Sequence, residues 1–157
     1  MRRLLTLVVF CGLASPLFAA DPVKPDPATL EKEFSEKLSG ATLVGTFTTD
    51  GKAGSNPDRY RIVSARKVKD ANWIFTAKMK VGQNEVDVPI PIKVYWADDT
   101  PVMSLTDLTI PGIGTFTSRV MFYGDRYAGT WQHGDHGGTF CGVIEKKAAT
   151  PEPEKKP

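Results

Sequence analysis

Both histidines of the chain lie in one stretch, Trp131-Gln132-His133-Gly134-Asp135-His136-Gly137-Gly138. Imidazoles at i and i+3 with a carboxylate between them form a ligand set for a borderline cation such as zinc, which favours nitrogen plus an anionic third donor. Cys141 follows close enough in sequence to offer a further ligand. The same residues also read as a hairpin turn in which Gly and Asp set the backbone and the imidazoles face water, and no second half-site stands elsewhere in the sequence. A nucleophilic pair of Cys141 with His133 or His136 lacks the orienting third group and the electropositive pocket that activate a thiol.

Other reactive patterns are weaker still. Asp98-Asp99 are adjacent on a turn and diverge, whereas a glycosidic acid and base face each other across a bond at about 5 to 10 Å. No serine sits in a G-x-S-x-G elbow. Gly112-Ile113-Gly114 and Gly134 to Gly138 do not lead into a helix, so neither is a phosphate cradle. Arg59, Arg61, Arg66, Lys67 and Lys69 are interleaved with Asp58 and Asp70, the pattern of a solvated strand face. Nothing in the sequence names a reaction or a cofactor, and the expectation is a protein that is not an enzyme.

The N-terminus has the layout of a cleaved export signal: basic Arg2-Arg3, an apolar run from Leu4 to Leu13, and small residues at Ala19-Ala20. Its removal takes away two arginines and no acid, which balances the 20 Lys+Arg of the full chain against its 18 Asp+Glu. An electroneutral mature chain has no basic field to steer it to nucleic acid or anionic lipid, and no second long apolar stretch predicts a membrane span. Cys11 goes with the signal, so Cys141 stands alone and closes no disulfide within the chain. A small unpaired cysteine is expected inside. With 41% hydrophobic and 24% charged residues the composition is that of an ordinary globular protein. The expected location is periplasmic or secreted.

The elements that must position these residues follow from periodicity. Residues 1–20 read as signal, 21–29 as a proline-bearing linker, 30–147 as one domain with a leading helix, and 148–157 as a disordered Pro/Glu/Lys tail. Asp26-Pro27 offers an N-cap with proline at the first helical position; Leu30, Phe34 and Leu38 recur every four residues, and Gly40 ends the run. That narrow stripe predicts a short helix lying on a surface or capping a barrel end. From Ala41 the period becomes two, most clearly at Trp73-Phe75-Ala77-Met79-Val81, and about eight strands can be counted. The longest connection, Gly51 to Asp58, is expected to be an exposed loop. No connection is long enough for a crossover helix, so the fold class is all-β, an antiparallel meander.

Two features bear on the interior of that meander. Pro89 and Pro91 remove two amide donors from the same side of one strand, which predicts a bulge or an open seam beside Val88 to Ile92. Aromatic residues fall on nearly every strand, and an eight-stranded barrel has room either for side chains alone or for one small ligand. Phe47, Trp73, Phe75, Trp96 and Trp131 are the residues expected to line such a site.

Gly45-Thr46-Phe47 on the first strand and Gly129-Thr130-Trp131 near the end resemble the glycine-x-tryptophan signature of calycin-type up-and-down barrels, the lipocalins and avidins. The resemblance spans Ala41 to Lys147 and implies a ligand-binding barrel. Tyr123 to Gly142 is also similar to the last hairpin of uncharacterised secreted proteins of planctomycete-like bacteria, which implies no activity. Three roles follow as expectations: an exported binder of a small apolar ligand or an envelope partner, a metal-binding protein using His133, Asp135 and His136, or an interaction protein using an open sheet edge.

Overall fold

The computed structural model describes residues 25–81 and 83–146; the segment expected to be an export signal, the start of the expected linker and the expected tail from 148 lie outside them. Helix α1 runs Pro27–Leu38. It starts where the Asp26 carboxylate accepts from the amides of Ala28 and Thr29 at 3.1 Å each and from the Thr29 hydroxyl at 2.8 Å. Those bonds, the Thr29 hydroxyl first, hold the Asp26 carboxyl below its ordinary range. The helix therefore includes the last residues of the segment expected to be linker.

Eight strands follow: β1 (Ala41–Phe47), β2 (Asn56–Lys69), β3 (Asn72–Val81), β4 (Asn84–Ala97), β5 (Thr100–Ile110), β6 (Gly114–Tyr123), β7 (Arg126–His133) and β8 (His136–Lys146). Each pairs antiparallel with the next, and β1 closes on β8 from Ala41↔Lys146 to Phe47↔Phe140. The all-β meander is thus a closed barrel. Strand β2 begins at Asn56, two residues before the end of the loop expected from sequence, because Phe47↔Asn56 and Gly45↔Asp58 pair across the first hairpin.

Helix α1 plugs one end of the barrel. Its buried residues are Phe34 and Leu38, and Phe34 meets Trp73, Trp96 and Phe122 edge-on at ring distances of 5.6, 5.9 and 5.3 Å. Edge-to-face packing of this kind places ring hydrogens on π faces and adds to the area term. The helix is pinned to β2, where the Ser35 hydroxyl donates to Ala65 O at 2.6 Å and Ala65 N donates to the Ser39 hydroxyl at 3.0 Å. A narrow stripe on a short helix is sufficient here because one phenyl ring fills the mouth of the barrel.

The barrel wall is complete in order but not in pairing. Among the described residues the β4–β5 ladder runs from Ala97↔Thr100 only to Lys93↔Ser104, while β3–β4 is continuous from Asn72↔Lys93 to Val81↔Asn84. Val94 N donates to Ala71 O at 2.8 Å, so Val94 points its main chain toward the β2–β3 side. By the alternation of an antiparallel strand, Pro91 and Pro89 point theirs the other way, toward β5. The two missing donors therefore fall on the side where pairing stops. Beyond Leu105, where its ladder with β4 has stopped, β5 carries a register shift against β6, with Asp107 at φ 49°, the local kink of a bulged strand. The seam expected from Pro89 and Pro91 takes the form of a splayed upper half within a closed barrel.

The outer face carries charged residues such as Arg61, Lys78, Lys93, Arg119 and Glu145, and the inner face is apolar. That is the reverse of a membrane-spanning barrel, whose outer band is apolar and whose lumen is polar. No described helix is long and apolar enough to cross a membrane.

Candidate functional site

The barrel interior holds a cavity of about 270 Å³, partly open to solvent. Leu38 of α1 forms its floor, and inward side chains of all eight strands form its wall, among them Leu43, Ile62, Phe75, Ile92, Leu105, Val120 and Phe140. Tyr60, Met79, Ile110, Phe116 and Trp131 line it nearer the end away from the helix. The volume lies just below the range of about 300 to 1,000 Å³ usual for small-molecule sites. Its lining is nearly all hydrocarbon and sulfur, so it can gain affinity by burying apolar surface and has few groups able to polarise a bond.

Of the five aromatics expected to line a site, Phe75 and Trp131 do. Trp73 is 1% exposed and packs under Phe34 with Trp96, so both belong to the plug between helix and barrel. Phe47 lies edge-on to Trp131 at 5.9 Å, and the Trp131 indole donates to Thr48 O at 3.0 Å, so Phe47 orients a lining residue from behind. The aliphatic lining of β4 and β5 was legible as strand parity, but an aromatic-weighted reading passes over it.

The histidine loop is a two-residue turn at Gly134-Asp135 joining β7 to β8, with His133 and His136 as the closing pair. His133 stacks on Phe116 with ring centroids 4.4 Å apart and 16° between planes. Gly114, at φ 130°, makes room for this ring: a Cβ there would sit 2.1 Å from His133 Nε2. His136 and Asp135 are exposed. Among the described residues no three of His, Cys, Asp and Glu converge as a metal-holding group.

Cys141 is exposed, which corrects the expectation of a buried thiol. Phe140 and Gly142 flank it on β8; with Phe140 turned into the core, alternation sends Cys141 outward, away from His133.

One polar cluster is built into the wall. Asp58, on β2, pairs with Gly45, which pairs in turn with Gly142, the partner of Tyr127 on β7. Asp58 Oδ2 and the Tyr127 hydroxyl are both buried without a hydrogen-bond partner. Gly45 is needed here, because a Cβ on it would lie 2.6 Å from the Tyr127 hydroxyl and 2.0 Å from Cys141 O. Burial first, then the charges of Asp58 and Cys141, push the Tyr127 phenol up to about 12. Burial, then the adjacent Asp58 carboxylate, also push Tyr60 up. Asp58, expected at the end of the Gly51 to Asp58 loop, instead pairs within β2, and no local signal in the sequence sets it beside Tyr127.

Comparison with family models, with curated proteins and with solved structures finds no match for this chain. Fold and site geometry therefore carry the functional argument.

Proposed function

We propose that this chain is an exported, non-enzymatic barrel that holds one small apolar molecule inside it. The observation that carries this reading is the cavity of about 270 Å³ with an almost wholly apolar wall. A polar interior would need its groups satisfied by water or protein, whereas an apolar void gives up contacts that a hydrocarbon ligand restores. The up-and-down meander with Gly45-Thr46-Phe47 and Gly129-Thr130-Trp131 supports a calycin-like assignment and the binding role that goes with it.

The test is a titration with the uncharged dye N-phenyl-1-naphthylamine, following dye emission and tryptophan emission together. Trp131 lines the cavity while Trp73 and Trp96 do not, so saturable binding should quench one tryptophan component, and Trp131→Phe should remove most of that response. A dye that shows no saturable enhancement, with tryptophan emission unchanged across a panel of apolar probes, overturns the reading.

A further inference from the structure

The cavity is bounded on one side by the two strands that do not pair. Ile90 and Ile92 of β4 and Leu105, Leu108 and Ile110 of β5 all line it, and the β4–β5 ladder stops at Lys93↔Ser104, below these residues. Two further lining residues, Lys78 and Thr117, flank inward residues on β3 and β6 and so point outward by alternation. Lys78 and Thr117 stand one strand beyond either bank, so the partly open cavity has residues of outward parity on both sides of the gap, and its opening lies there.

The gap does not suit an added peptide strand. Pro89 and Pro91 turn toward it without amide hydrogens, and proline on an edge is a device that blocks strand addition. What remains is a slot with apolar inner walls and a polar rim.

The polar groups of the rim are bonded among themselves. Lys78 Nζ lies 2.8 Å from Asp87 Oδ1. The Arg119 guanidinium donates to Leu105 O, to Ser118 O and to Thr106 Oγ1. Asp107 accepts from the Thr117 hydroxyl at 2.9 Å, and its amide donates back to the same oxygen at 3.0 Å. An ionic head group arriving here meets cations and anions already engaged, and it loses water for no new partner. A hydroxyl, ester or amide has far less to lose.

We infer that the ligand enters sideways between β4 and β5, and that it is a single-chain amphiphile whose apolar tail fills the cavity while an uncharged polar end stays in the gap. This rests on the apolar-binder reading above and deepens it.

Two measurements test it on the mature chain loaded with N-phenyl-1-naphthylamine. In the first, 1-monodecanoylglycerol, decanoate and decyltrimethylammonium compete for the site at pH 8. The uncharged glyceride should displace the dye at a concentration about tenfold lower than either ion. Displacement by an ion at equal or lower concentration overturns the uncharged-end assignment. Dye binding with no displacement by any chain leaves an apolar binder but removes the amphiphile.

In the second, stopped-flow rates are compared for wild type and Pro89→Val/Pro91→Val, which restores both donors and lets the seam zip. Association and dissociation should both slow by about fivefold or more with the equilibrium constant within about twofold, since a portal changes rates and not affinity. Unchanged rates in a folded variant overturn sideways entry. Pro91→Val alone, beside the intact end of the ladder, serves where the double variant does not fold. Absence of dye binding by wild type overturns the binder and this inference together.

Discussion

Tyr127 is 2% exposed and its hydroxyl has no partner, so the oxygen is held out of water for no bond. Tyr127→Phe should therefore be neutral or stabilising by up to about 1 kcal/mol, against the ordinary loss for removing a bonded hydroxyl. Urea midpoints measure this, and a loss of about 2 kcal/mol or more means that the oxygen is in fact bonded. The same residue sets a pH dependence. Its folded pKa is raised, to about 12; below an unfolded value of about 10 both states keep the proton and the group is silent. Between the two values the unfolded chain ionises first, so stability falls as pH rises. Tyr127→Phe should flatten that fall when unfolding is compared at about pH 9 and about pH 11.5. Cys141, exposed on the outer face, should react fully with Ellman's reagent in the native state, at a rate within about tenfold of the denatured chain. Protection of the native thiol would show that something covers this face of β8.

At the scale of elements, α1 carries two jobs that its sequence states in different ways. The Asp26-Pro27 start is local chemistry, and it was readable because a carboxylate cap and an N1 proline act within one turn. The role of Phe34 as a stopper was not readable, since it depends on Trp73, Trp96 and Phe122 arriving from three strands. Phe34→Ala should cost about 3 to 5 kcal/mol by thermal or chemical unfolding, the usual range for a buried phenyl. A cost below about 1 kcal/mol would mean that the helix lies on the barrel without sealing it. Strand β4 shows the opposite balance. Its prolines announced an unpaired side from sequence alone, because a missing donor cannot be restored by any tertiary arrangement. Which neighbour it fails to pair with follows from the side its amides face, Val94 toward Ala71 and Pro89 and Pro91 toward β5, which only the assembled sheet decides.

For the molecule as a whole, the question is whether the interior is core or container. Ala77 lines the cavity between Phe75 and Met79 on β3 and leaves the space of a larger residue unfilled. Ala77→Leu should raise or preserve the unfolding temperature while weakening N-phenyl-1-naphthylamine binding by about tenfold, because added methyl groups take the volume that a ligand would use. A drop in stability with binding intact would place the dye elsewhere. The period-two alternation, the short turns and the lack of any crossover determined an antiparallel meander from sequence, since side-chain parity and connection length are local properties of the chain. The amide deficit at Pro89 and Pro91 was equally local. Closure of β1 on β8, the apposition of Asp58 with Tyr127, the outward turn of Cys141 and the unfilled space among inward side chains were decided by the tertiary structure. Each depends on how strands distant in sequence are staggered and tilted around a common axis, and no single strand encodes that.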